Sequence, residues 1–195
     1  MISLGANTFA PILPVWVVGT YDHEGRPNVM TAAWAGICCS KPPCAYVSLR
    51  KATYTYGNFM ERKAFTISFP SEAYVKEADY FGIVSGRDAD KFSTAKLTPL
   101  RSDLVDAPYV KEFPIVECKV IKTVEIGLHT EFIGEILDVK AHESVLDENK
   151  MIDVRRVRPL VWSLPNMSYR NVGKHLGKSF SIGKKLRESK NTDTK

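Results

Sequence analysis

The 195-residue sequence lacks the fingerprints of the commonest cofactor and hydrolase sites. There is no Gly-x-Gly-x-x-Gly after a strand, no His-Glu-x-x-His and no Gly-x-Ser-x-Gly, which excludes a built-in dinucleotide fold, a zincin helix and a nucleophile elbow. Gly173-Lys174-His175-Leu176-Gly177-Lys178-Ser179 imitates a phosphate loop, but its two glycines stand one residue too close together and no strand leads into it. Cysteine is sparse. Cys38, Cys39, Cys44 and Cys118 lack the Cys-x-x-Cys spacing that puts two thiolates on one metal, so no metal site is expected and the thiols read as small buried apolar groups. No long hydrophobic run exists either. Phe9 to Val18 is apolar, but Pro11 and Pro14 interrupt it and no basic residue precedes it, so it is not read as a signal peptide or membrane anchor and the expected location is cytoplasmic.

The overall charge of +5 is unevenly placed. From 166 to 195 eight basic residues face two acidic ones, so that stretch carries +6 and residues 1–165 must carry −1. The folded body is near neutral, and the basic character comes from the tail. That argues against a nucleic-acid-reading surface, although a tail that binds nucleic acid or an acidic partner stays open as the weakest reading. A hydrophobic share of 44% and a charged share of 25% belong to an ordinary globular chain. The length suits one domain, taken as 1–165, with 166–195 an extended or partly helical basic tail.

Strand signals dominate what is present. Val15 to Tyr21 is β-branched and aromatic, closed by Asp22-His23-Glu24-Gly25-Arg26-Pro27 and answered by Asn28 to Gly36, which predicts a hairpin. Ala45 to Leu49 and Ala64 to Phe69 are further strands, the latter alternating Phe65, Ile67 and Phe69 against Thr66 and Ser68. Ile115 to Ile126 and Glu131 to Ala141 form a second hairpin through Gly127-Leu128-His129-Thr130, and Arg155 to Trp162 reads as a last strand. Short helices are expected over Thr55 to Arg62 and from an N-cap at Ser71 to Gly82. Many strands joined by tight turns favour a small antiparallel barrel with helices at its ends.

Two stretches carry candidate chemistry. Asn28 to Trp34 abandons strand bulk for Ala32 and Ala33 beside the flat Trp34, which suits either a planar ligand touching the main chain or a buried strand under a core tryptophan. Ser48, Arg50, Lys51, Thr53, Thr55 and Asn58 crowd cations, hydroxyls and an amide into one turn-containing segment, with Lys91 after a glycine-containing loop. A phosphate wants that mixture, and so does a solvated loop. His129 is either a structural imidazole or a ligand donor.

The ordered set Asn28-Val29-Met30-Thr31-Ala32-Ala33-Trp34, Ser48-Leu49-Arg50-Lys51-Ala52-Thr53-Tyr54-Thr55, Ser85-Gly86-Arg87-Asp88-Ala89-Asp90-Lys91-Phe92 and His129-Thr130-Glu131-Phe132-Ile133-Gly134-Glu135 resembles the flavin reductase-like family, most of all its flavoredoxin branch, from about Pro14 to about Trp162. The resemblance implies a mainly β, six-stranded antiparallel Greek-key split barrel that forms a homodimer and binds FMN. It implies that Asn28, Met30, Thr31, Ala32, Ala33 and Trp34 border the isoalloxazine, that Ser48, Arg50, Thr53, Thr55, Ser85 and Lys91 serve the ribityl phosphate end, and that His129 and Trp162 approach the ring. No catalytic side chain is then required, because flavin N5 carries the chemistry and His129 tunes it. NADH or NADPH would dock transiently as donor, and the acceptor would be free flavin, a ferric chelate or an electron-transfer protein. A non-catalytic FMN electron carrier is the alternative.

Overall fold

The computed structural model describes residues 1–184 and 186. Its elements in chain order are β1 (Leu13–Pro14), β2 (Trp16–Tyr21), β3 (Pro27–Ala32), β4 (Ala35–Ser40), β5 (Pro43–Arg50), α1 (Tyr54–Arg62), β6 (Ala64–Ser68), α2 (Val75–Ile83), α3 (Lys91–Ala95), β7 (Pro99–Arg101), β8 (Pro108–Val110), β9 (Ile115–Ile126), β10 (His129–Lys140), α4 (Val154–Val157), β11 (Leu160–Ser163) and β12 (Ser168–Asn171). Seven strands form one antiparallel sheet in the order β3-β2-β6-β9-β10-β5-β4, and β1-β11-β12 make a small second sheet. The class is therefore the expected mainly β one, with short helices. The main sheet has one strand more than the six anticipated. Ala35–Ser40 leaves the predicted Asn28 to Gly36 strand at Ala33-Trp34 and, after a two-residue Lys41-Pro42 connection, pairs with β5.

The sheet curls around a core that draws on nearly every strand. Val18, Val47, Leu49, Phe65, Ile67 and Phe132 are buried in one cluster with Phe59, which α1 inserts from outside the sheet. The Phe59 ring lies 4.7 Å from Phe65 and 4.8 Å from Phe132, and each fully buried aromatic of this kind contributes about 1.5–3 kcal/mol by leaving water. Gly134 makes the fit feasible, since a Cβ there would stand 2.5 Å from the Phe65 ring. The β2–β3 turn anchors α1 as well. Buried Asp22 accepts from the Glu24 and Arg26 amides and from the Tyr54 hydroxyl at 2.8 Å. Burial alone would raise its carboxyl, but the bonds from the Arg26 amide, Tyr54 and the Arg26 guanidinium outweigh that and hold it at about 2.

Three other expectations are corrected. Arg155 to Trp162 is not one strand: Asp153 caps the single turn of α4 by accepting from the Arg155 amide at 2.8 Å, and the strand begins only at Leu160. The long hairpin turns at Gly127-Leu128, where Gly127 adopts φ +51°, so His129 opens β10 rather than sitting in the turn. Ser168–Asn171, within the stretch assigned to the tail, pairs with β11. Among the described residues no helix is long and apolar enough to cross a membrane, and no cluster of three or more His, Cys, Asp or Glu could hold a metal ion.

Candidate functional site

The sheet does not pair its two edges. β3 and β4 stand at opposite ends of the strand order, yet only Ala33 and Trp34 separate them in the chain. This seam opens a cleft of about 600 Å³. Met30, Thr31, Ala32, Ala33 and Trp34 line it. Ser48, Arg50 and Thr53 come in from the end of β5 and the turn after it. The Trp34 carbonyl accepts from the Ser48 amide at 2.8 Å, which ties the seam to β5. His129 and Trp162 complete the set. Strand register explains His129, whose Cα partner on β5 is Arg50.

Three rings form a wall along the cleft. Trp34 stacks on His129 with centroids 6.2 Å apart and planes 4° from parallel, and it meets Trp162 at 6.0 Å and 44°. Trp34 remains 38% exposed, a large apolar surface that a flat ligand would cover. Beside the rings, the Arg50 guanidinium has no partner among the described residues.

A second hollow of about 230 Å³ continues from the first and shares Met30, Thr53, Gly82 and Ile83 with it. Thr55, Ser85 and Lys91 line this one, along with Gly86 and Arg87. The nine-residue α1 begins here with Thr53 in the cap position. The Thr53 hydroxyl donates to the Arg50 carbonyl at 2.9 Å and does not cap the helix, so the first amides of α1 lack the side-chain acceptor that usually serves them. Lys91 is 4% exposed. Its Nζ donates to the Val29 and Phe81 carbonyls at 2.8 and 2.9 Å, and no carboxylate pairs with it among the described residues. Burial lowers its pKa to about 8. Arg87 lies over the Tyr54 ring, 5.3 Å from its centroid. A helix N-terminus, a buried ammonium and an exposed guanidinium around one small hollow are the groups that could hold an anion of phosphate size.

Two predicted residues take different roles from those expected. The Thr31 hydroxyl is committed to the Ala78 carbonyl of α2 at 2.5 Å, so Thr31 offers the cleft its backbone and methyl rather than a free donor. Asn28 is buried and lines neither of these hollows, bordering instead a separate one with Asp22, Tyr54 and Gly86. Its Nδ2 donates to Thr55 Oγ1 at 3.1 Å, while its Oδ1 has no partner among the described residues and faces Gly86 so closely that a Cβ there would stand 2.1 Å away. Sequence reasoning missed Asp79, Gly82, Ile83, Leu128, Met167 and Tyr169, all on the large cleft. Arg87 was within reach, since it belongs to the quoted loop. None of the cysteines lines either hollow. Cys44 and Cys118 are buried, and burial pushes both thiols up, which makes them unreactive, whereas Cys38 and Cys39 are exposed on the edge strand β4, contrary to the expectation that all four are buried.

Residues 12–168 match the flavin reductase like domain. The chain is 54% identical to the flavoredoxin of Desulfovibrio vulgaris (Miyazaki F), covering 94% of this chain and 99% of that one with a TM-score of 0.89. It is 31% identical to the flavoredoxin of Methanosarcina acetivorans over 95% and 98% of the two chains, with a TM-score of 0.88. An FMN-binding protein from Thermus thermophilus, solved with bound 1-cyclohex-2-enone, shares the fold at 21% identity and a TM-score of 0.77, covering 91% and 99%.

Proposed function

We propose a function from one premise: the chain belongs to the flavin reductase-like family and has its flavin-binding fold. On that premise it is an FMN-binding oxidoreductase that passes electrons from NADH, NADPH or a redox partner through the flavin to a small-molecule or protein acceptor. The observation that carries the choice of FMN is Lys91, a buried ammonium without a counter-charge among the described residues, on the hollow where α1 begins. Such a charge is costly to bury alone, and a phosphate would compensate it. The fit extends to the rest of the cofactor. The adjoining cleft of about 600 Å³ has room for a tricyclic ring, and the small side chains of Ala32 and Ala33 border it.

The bound flavin would supply hydride acceptance and one- or two-electron release. Each residue then has a plain task. Arg50, Lys91 and the α1 amides hold the phosphate, and the Asn28–Thr55 pair fixes the floor beside it. Trp34, His129 and Trp162 shield the ring from water, and His129 stands where a donor would tune the ring's potential. We place the protein in the cytoplasm as a homodimer. The test is an absorbance spectrum of the purified protein after FMN reconstitution, followed by anaerobic addition of NADH and then NADPH. Flavin absorbance that is retained and then bleaches is the expected result, and a colourless protein rejects the reading.

The likeness to two flavoredoxins supports a second reading, an FMN electron carrier without pyridine-nucleotide turnover of its own. Steady-state turnover with either nucleotide and an artificial acceptor separates the two, since fast turnover eliminates the carrier.

A further inference from the structure

A carboxylate, Asp79, also lines the large cleft. Asp79 lies in α2, next to Ala78, whose carbonyl takes the Thr31 hydroxyl, so the carboxylate is fixed beside the ligand-bordering strand β3. Tyr169, on β12 and in register with Trp162, donates its hydroxyl to Asp79 Oδ1 at 2.9 Å. Both residues line the cleft. Burial, the bond to Asp79 and the negative charge of Asp79 push the Tyr169 phenol up to about 12, so it remains a donor at neutral pH. One carboxylate oxygen is thereby committed and its orientation set. The other, Oδ2, has no partner among the described residues, and no Lys, Arg or His pairs with Asp79. A half-buried anion held this way accepts hydrogen bonds and repels other anions more strongly than it would in open water.

We propose that Asp79, positioned by Tyr169, is a specificity-determining residue that selects what enters the cleft beside the flavin: planar neutral or cationic molecules bearing an N–H or O–H group, with carboxylated or sulfonated molecules rejected. This rests on the flavin-binding reading above. Arg50, on the same cleft, does not cancel the selection. Arg50 is present in every variant of the test below, so the change on Asp79→Asn isolates the carboxylate's own contribution.

The test uses a matched pair of redox-active probes, 1,4-naphthoquinone and its 2-sulfonate. FMN is first titrated into the protein, which decides the flavin reading on its own. The dissociation constants of both probes are then measured from quenching of tryptophan fluorescence, in wild type, Asp79→Asn and Tyr169→Phe. Trp34 and Trp162 report from the cleft itself whether or not FMN has bound. In wild type the neutral probe binds more tightly, and Asp79→Asn narrows the sulfonate-to-neutral ratio about fivefold to tenfold. Tyr169→Phe keeps the charge but releases the carboxylate, and it narrows the ratio by less, about twofold to threefold. A ratio that Asp79→Asn leaves unchanged overturns the proposal, as does a ratio that Tyr169→Phe leaves at its wild-type value. Failure of FMN to bind would reject the flavin reading while the probe ratios still judge Asp79.

Discussion

The barrel core and the seam between β3 and β4 are built from the same strands and obey opposite rules. In the core, Phe59, Phe65 and Phe132 are sealed from solvent and satisfied by one another. Around the seam, Trp34 is partly exposed, and among the described residues the Arg50 guanidinium has no partner and Lys91, in the adjoining hollow, is buried without a counter-charge. The difference teaches where stability resides and where binding resides. A packed interior gains nothing from a ligand, while a region of unmet polar and apolar demands gains a great deal.

The comparison breaks if core substitutions damage binding directly or seam substitutions damage folding. The largest effect is expected for Phe132→Ala, which should lose about 3–5 kcal/mol of unfolding free energy in a urea titration through lost transfer and a residual cavity. FMN affinity measured under conditions where the variant is folded should change little. Gly134→Ala should cost about 1–3 kcal/mol in the same titration, because the new methyl collides with Phe65. At the seam, Arg50→Ala should weaken FMN about tenfold and riboflavin much less, since only FMN carries the phosphate. Isothermal titration with both ligands checks this, and equal losses would remove Arg50 from the phosphate site.

Lys91 permits a sharper test by pH. Its folded pKa of about 8 lies below the ordinary 10.5, so the charged form is disfavoured in the fold. Its contribution to stability is therefore unfavourable below about pH 8 and is relieved as pH rises from there toward 10.5. Phosphate binding has the opposite sign, because it needs the ammonium. The affinity ratio of FMN to riboflavin should fall as pH rises above about 8, and Lys91→Met should flatten that profile. The smallest effect is expected for His129→Ala: a shift in flavin potential with only modest loss of FMN affinity, measured by dye-coupled reduction. An unmoved potential would reduce His129 to a packing partner of Trp34.

Legibility in the sequence followed physical continuity. Ser48 to Thr55 could be read because its donors are adjacent in the chain, and β9 and β10 because twelve residues apiece of strand-forming sequence leave little alternative. β4 escaped because Ala35, Gly36 and Cys38 have too little bulk to show a two-residue period, and β1, β7 and β8 because two or three residues contain no period at all. Thr31 was legible as a seam residue but not as one committed to α2, since its acceptor lies 47 positions away. The Asp79–Tyr169 pair, 90 positions apart, left no local signal, and only the pairing of β12 with β11 brings Tyr169 beside Trp162.

Lys91 has one more consequence. Its ammonium grips the Val29 carbonyl of β3 and the Phe81 carbonyl of α2, so the group that would meet the phosphate is also the rivet joining a strand to a helix. A cofactor seated there would act as a structural member. By mass action a ligand present at a hundred times its dissociation constant adds about 2.7 kcal/mol to the fold. Flavin supply would then govern how long the protein survives heat and proteases, and a cell short of the vitamin would lose the protein itself along with its activity.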